Sequence, residues 1–231
     1  QGLTWLLAAP RIKLLPDIAK KAPYPLSWAE QRRLFHQLPD HLAQMALFSV
    51  NTGCRNGEVC NLRWDWEVDV PQLGTSVFII PGTRVKNGDD RLVVLNRIAR
   101  CVVAARRGID PVHVFTYEGR PLYRMLTSGW IRARNRAGLP HVRIHDLKHT
   151  FGRRLRASGV SFEDRQDLLG HRSGRITTHY SAAELQRLIE AANRICDGNG
   201  GQPELVVLRG SLRLESRKIP ASAIPPLSRI G

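Results

Sequence analysis

The sequence predicts an α+β fold, mainly α, with a small antiparallel β-sheet. Three observations carry that expectation. Apolar residues recur at helical spacing, as at Leu42, Met45, Ala46 and Val50, and again at Leu147, Phe151 and Leu155. Two short β-prone runs, residues 77–80 and 91–95, flank a Lys86-Asn87-Gly88-Asp89-Asp90 turn. Hydrophobic residues make up 42% of the 231 positions, enough for a real core and more than a disordered chain would hold.

The elements follow in order. Residues 1–26 contain Pro10, Pro16, Pro23 and Pro25 and are expected to be a linker or the end of a missing domain. Ser27-Trp28-Ala29-Glu30 matches a capping box and opens a helix to about residue 38. A second helix runs over 41–50, Thr52-Gly53 interrupts it, and a short helix follows over 56–62. The two β runs form a hairpin with Lys86 near its tip. Helix returns over 96–107, and 112–115 reads as a short extended segment. Further helices are expected at about 127–137, 146–157, 162–169 and 183–195, with Gly138, Gly159 and Gly170 at C-cap positions. The folded unit is therefore expected over 27–196. Residues 197–231 read as a poorly ordered tail whose β-like patch at 205–208 could pair with a sheet edge of a neighbouring protomer.

Composition narrows the function. The formal charge is +15, and 29 of the 35 basic residues are arginine, the side chain whose planar fork suits phosphate. Residues 120–156 hold ten basic residues and one acid, Asp146. That density points to a polyanion, nucleic acid above all, over a merely basic surface. No apolar run reaches the roughly 18 to 20 residues needed to span a bilayer, and the N-terminus lacks a signal-peptide pattern. Cys54, Cys60, Cys101 and Cys196 show no CxxC pairing, so a reduced, cytoplasmic setting is expected.

Four places could carry chemistry. They are Thr52-Gly53-Cys54-Arg55-Asn56-Gly57-Glu58, Lys86, His145-Asp146-Leu147-Lys148-His149-Thr150, and Leu169-Gly170-His171-Arg172 followed by Thr178-His179-Tyr180. Each has an ordinary reading. Arg55 could simply pair with Glu58, Lys86 could solubilise a turn, and His171 could serve a helix end. As a set they are more specific. A phosphodiester under attack spreads negative charge that fixed cationic donors stabilise. A phenol with an ordinary pKa near 10 can attack phosphorus if cations or a base favour its phenolate. The resulting phosphotyrosine ester conserves bond energy for rejoining. His145 and His149 also have the HxxxH spacing of a helical zinc site, with His171 or His179 as a third ligand. Asp in place of the usual Glu, Lys148 beside the site and the basic surface argue against it, so no metal and no cofactor are expected.

In order and spacing these motifs resemble those of the tyrosine recombinase, or phage integrase, family over roughly residues 27–195. The resemblance implies that family's catalytic-domain fold over 27–196, residues 1–26 as the linker from a missing N-terminal DNA-binding domain, and a site-specific DNA recombinase that cleaves and rejoins DNA through a 3′-phosphotyrosyl intermediate. It implies Arg55 as a clamp on the scissile phosphate, with Glu58 the structural acid of that motif. Lys86 would be the general acid for the leaving 5′ oxygen and His145 a general acid/base or phosphate ligand. His171 would be a phosphate donor and Tyr180 the nucleophile. Lys148 departs from the family's HxxR pattern, supplying charge without a fork. A working natural variant, a slowed enzyme and an inactive binding module are the outcomes it leaves open, and the first is expected.

Duplex DNA is the expected partner, with Arg132, Arg134 and Arg136 as candidate backbone contacts and a salt slope of roughly one log unit per phosphate contacted. The resemblance adds a tetramer of protomers on DNA, with a monomer allowed when the chain is alone. The rival readings are a DNA-binding module that lost its chemistry and a type IB topoisomerase-like enzyme.

Overall fold

The computed structural model describes residues 22–86, 88–170 and 180–196. The expected linker before residue 22, Asn87, His171, His179 and the 197–231 tail with its 205–208 patch lie outside the described residues.

Helix α1 (Trp28–Gln37) starts where Ser27 and Glu30 form a capping box, with the Ser27 N–H donating to Glu30 Oε2 at 2.8 Å. It buries Leu34 and Phe35. Helix α2 (Asp40–Thr52) is the centre of the molecule. Leu42, Met45, Ala46, Phe48 and Val50 are fully buried, and α2 packs against two later helices. It ends at Gly53, whose φ of +66° needs a residue without a Cβ. Helix α3 (Asn56–Cys60) follows at once.

The sheet has three antiparallel strands in sequence order: β1 (Glu67–Val70), β2 (Thr75–Ile80) and β3 (Arg91–Val94). β2 and β3 are the expected hairpin, in register Phe78↔Val93 and Ile80↔Arg91. Strand β1 was not expected. Its Glu-Val-Asp-Val pattern lacks the β-prone run that marks β2, because it is an edge strand with Val68 still partly exposed. The sheet is covered on both faces. Phe78 and Val93 belong to one apolar cluster, while their neighbours Val77, Leu92 and Val94 belong to another.

Helix α4 (Arg97–Ala104) is capped by Asn96. A two-stranded hairpin, β4 (Thr116–Tyr117) and β5 (Arg120–Pro121), turns at Glu118 and Gly119, both at positive φ, as a two-residue hairpin loop with right-handed strand twist requires. The expected 112–115 strand is reduced to one bridge, Arg63 to His113. Helices α5 (Ser128–Arg136), α6 (His145–Ala157), α7 (Phe162–Leu169) and α8 (Ala182–Asn193) follow among the described residues. The first cluster joins α1–α5 to the sheet around Trp130, Phe48 and Phe115; the second joins α6, α7 and α8 to the sheet's other face through Phe151, Leu155, Leu168 and Leu188. The molecule is therefore two cores that share one sheet.

A Cβ at Gly53 would lie 2.7 Å from Phe151 Cδ1 in a left-handed backbone, whereas nothing stands within 4 Å of one at Gly57. Gly53→Ala should cost about 2 kcal/mol or more in urea unfolding. Gly57→Ala, in an exposed turn of α3, should be neutral or stabilising by up to about 1 kcal/mol.

Candidate active site

The Thr52–Glu58 segment is built around its turn. Thr52 Oγ1 donates to the Phe48 carbonyl and Ser49 Oγ to the Cys54 carbonyl, so the chain leaves α2 in one direction only. Arg55 is then the N-cap of α3. Its backbone N–H and its guanidinium both donate to Glu58, at 2.7 Å each. Glu58 is buried, and its Oε2 also faces Arg91 Nε at 3.1 Å. Burial pushes the Glu58 carboxyl upward, but Arg91 and the Arg55 donors outweigh it and hold the pKa below the ordinary value. The pairing of Arg55 with Glu58 and an exposed guanidinium edge coexist: the Arg55 side chain keeps 22% of its surface.

Lys86 is exposed on the β2–β3 loop. The two arms of that loop are in close contact, since Gly82 donates to Asp90 Oδ1 at 2.8 Å and a Cβ on Gly82 would strike the Gly88 carbonyl. The loop is thus held by backbone groups, leaving the lysine to extend.

Helix α6 begins at His145, and Asp146 fixes its first turn. Asp146 is fully buried and accepts from the Tyr24 N–H at 3.1 Å, the Arg143 N–H at 2.9 Å and the Arg143 guanidinium. Burial raises its pKa, and these donors, Arg143 first, lower it further than burial raises it. Leu26 N–H likewise donates to Thr150 Oγ1, so the segment entering α1 is tied to α6. With Asp146 turned inward, His145, Lys148 and His149 share the other flank. The two imidazoles meet edge to face at 4.6 Å. Both have pKa values below the ordinary histidine value: His145 through burial and then His149, Lys148 and Arg55, and His149 through burial with Arg143 and Lys148 adding to it. Asp146 is unavailable to a metal beside them, and among the described residues no third metal-binding side chain joins the pair.

Lys148 is buried at 4% exposure and donates to the Leu169 carbonyl at the end of α7. Burial, then the cations of Arg91 and Arg55, push its ammonium down to about 7, against a smaller opposing pull from Glu58. Lys148 can therefore shed its proton near neutrality, as an ordinary lysine does not.

Arg55, Lys86, His145 and Lys148 converge on one cleft of about 1010 Å³. Its floor and far wall come from α6 and α7, with Arg153, Arg156 and Arg165 adding charge and Phe162 an exposed aromatic edge. No aspartate or glutamate is among the described residues lining it. Two expected groups stand elsewhere. Tyr180, half-buried before the Ser181 cap of α8, packs on the second apolar cluster and is not among the described residues lining the cleft. The expected DNA contacts on α5 also lie outside it. Arg134 donates to the Val142 carbonyl at 2.9 Å and Arg136 to the Gln37 carbonyl at 3.1 Å, while Arg132 is exposed. Charge density along the chain identified the region but not the helix, because α5 and α6 are both arginine-rich and only α6 faces the cleft.

A family model for the phage integrase family matches residues 26–187. The chain belongs to the phage integrase family. It is 28% identical over 200 residues to the integrase of Salmonella phage P22, covering 81% of this chain and 50% of that protein, so it spans about half the length of that relative. It is 26% identical to the tyrosine recombinase XerA of Pyrococcus furiosus, covering 81% of this chain and 68% of the other. Its fold matches the integrase from mycobacterium phage Brujita with a TM-score of 0.60 at 21% identity, over 84% of this chain and 65% of that one. The mainly helical fold with a small antiparallel sheet is thus the family's.

Lys148 loses its charge as pH rises through about 7, and the two histidines, held below 6.5, are already largely neutral there. Sulfate affinity measured by calorimetry should therefore fall between pH 6.5 and 8.5, by up to about tenfold for one linked proton per pH unit at the steepest. In Lys148→Arg, whose guanidinium stays charged, that fall should disappear.

Proposed function

We propose that the chain is the catalytic domain of a site-specific DNA recombinase that cleaves and rejoins duplex DNA through a 3′-phosphotyrosyl intermediate. The observation that carries the proposal is the basic cleft, with no acid among its described lining residues, in which Arg55, Lys86, His145 and Lys148 meet from three separate segments. The nearby carboxylates are withdrawn: Glu58 sits behind Arg55 with 3% of its side chain exposed, so it orients the clamp without repelling phosphate, and Asp146 is fully buried against Arg143.

In this mechanism a scissile phosphate enters the cleft against Arg55 and Lys148. Arg55 is presented by the α3 N-terminus and Glu58, so its free donors need no reorganisation as charge builds on the non-bridging oxygens. Protonated Lys148 adds a second cation, and His145 supplies a hydrogen bond or accepts the phenolic proton. The Tyr180 oxygen forms a bond to phosphorus while the bond to the 5′ oxygen breaks, and Lys86 delivers a proton to that oxygen. Rejoining runs the same steps backwards with a 5′-hydroxyl as nucleophile. Because Tyr180 packs on the second core, the mechanism requires DNA occupancy to bring its ring to the cleft. His171 is assigned as a phosphate donor by its place in the family's motif alone.

Duplex DNA is the partner this reading implies, with Arg153, Arg156 and Arg165 on the cleft wall and Arg132 on an outer face as backbone contacts. Other protomers on the same DNA complete the exchange. Cys54, Cys60 and Cys101 are free thiols, and no helix among the described residues is long and apolar enough to cross a membrane. We place the protein in the cytoplasm because the proposed substrate is DNA.

A nicked suicide duplex carrying the ends of the mobile element beside the coding region tests the proposal. A covalent protein–DNA adduct should form and vanish in Tyr180→Phe. Lys148→Arg should retain adduct formation, Lys148→Ala should lose most of it, and Arg55→Ala should lower its rate by about a hundredfold or more. Binding without an adduct on every end sequence would support a DNA-binding module. An adduct accompanied by supercoil relaxation but no strand exchange would support a topoisomerase.

A further inference from the structure

Arg91 is the first residue of β3 and is exposed to only 2%. A buried guanidinium is costly unless its geometry is fully used. Here Nε lies 3.1 Å from Glu58 Oε2, and Nη2 points to the carbonyls of Thr52 and Leu168 at 3.4 Å each. Its Nη1 has no hydrogen-bond partner among the described residues and lies where a Cβ on Gly170 would stand, 1.6 Å away. Arg91 therefore touches both motif segments at once. On one side are Thr52 and Glu58, which set Arg55; on the other are Leu168 and Gly170, which bracket the Leu169 carbonyl that receives Lys148.

We propose that Arg91 is a positioning residue of the phosphate cleft, holding Glu58 so that its other oxygen presents Arg55 and holding the end of α7 so that its carbonyl presents Lys148. Arg91 faces neither solvent nor substrate, so it acts through those two side chains. The inference rests on reading the cleft as a DNA-phosphate site. It also accounts for Gly170, where any side chain would displace the guanidinium.

Electrostatics gives this arrangement a signature that simple packing lacks. Three cations, Arg55, Arg91 and Lys148, surround the single carboxylate of Glu58. The groups facing Lys148 are Cys54, Arg55 and Glu58 around α3, Arg91 on β3, and His145 and His149 on its own helix; from α7, Arg165 lines the same cleft wall and the Leu169 carbonyl receives the ammonium. After burial, Arg91 is the strongest influence lowering the Lys148 ammonium, ahead of Arg55. Removing the Arg91 charge must let Lys148 keep its proton to higher pH, and removing the Glu58 charge must do the opposite.

The whole chain labelled with ¹³C at lysine suits the test, because it has only six lysines and Lys148 is assigned by its loss in Lys148→Arg. In Arg91→Met the Lys148 midpoint should rise by half a pH unit or more, and in Glu58→Gln it should fall. Arg91→Lys should keep the midpoint near the wild-type value while adduct formation on the nicked duplex drops at least tenfold, since lysine lacks the fork that spans both segments. Duplex affinity should change much less than the rate of adduct formation. Unchanged Lys148 midpoints in both charge-removing variants, or full adduct formation by Arg91→Lys, would overturn the proposal. Should Arg91→Met not fold, Glu58→Gln and Arg91→Lys decide it. Wild-type protein that forms no adduct would sink the recombinase reading instead, and the lysine titration would still judge Arg91.

Discussion

Everything at the cleft depends on one buried carboxylate. Glu58 accepts from the Arg55 backbone and guanidinium and forms an ion pair with Arg91, and so joins the α3 segment and β3 into one unit. A basic pocket without such an anion would be self-repelling and loosely ordered. A pocket with an exposed anion would repel phosphate. Placing the carboxylate behind the arginine satisfies both demands, and the residual excess of positive charge falls on the group that can release a proton, Lys148.

The fold supplies that arrangement through its shared sheet. β3 is buried on both faces, so its first residue projects into the seam between the two cores. α2 ends at the same seam with the Gly53 turn, and α6 and α7 approach it from the other core. Gly53 is packed against Phe151 and Gly170 against Arg91; both positions have left-handed backbone and no space for a side chain. The cleft therefore sits where the two cores meet, and its precision derives from packing behind it more than from contacts within it.

Much of this was legible in the residues. The capping box at Ser27, the extent of α7 and the Lys86 hairpin follow from local rules, because each depends on neighbours in sequence. The meeting of Arg55, Lys86, His145 and Lys148 was legible only as a set, through motif order and a charge balance that already implied phosphate. Strand β1 and the β4–β5 hairpin were missed because pairing with a neighbour, not β-prone composition, creates them. Arg91 gave no local sign of burial, since an arginine opening a β run is ordinarily a surface residue. The choice of Arg132, Arg134 and Arg136 rested on density alone, and two of the three are engaged in holding backbone carbonyls. Tyr180 stood out by its motif, yet its place on the second core could not be read from spacing.

The central claim, that cations from separate segments form one oxyanion site, is most directly tested by diffraction from crystals soaked in tungstate. The account predicts a strong anomalous peak within hydrogen-bond reach of Arg55 and Lys148, lost in Arg55→Ala. Tungstate bound at other surface arginines while this cleft stays empty would contradict it.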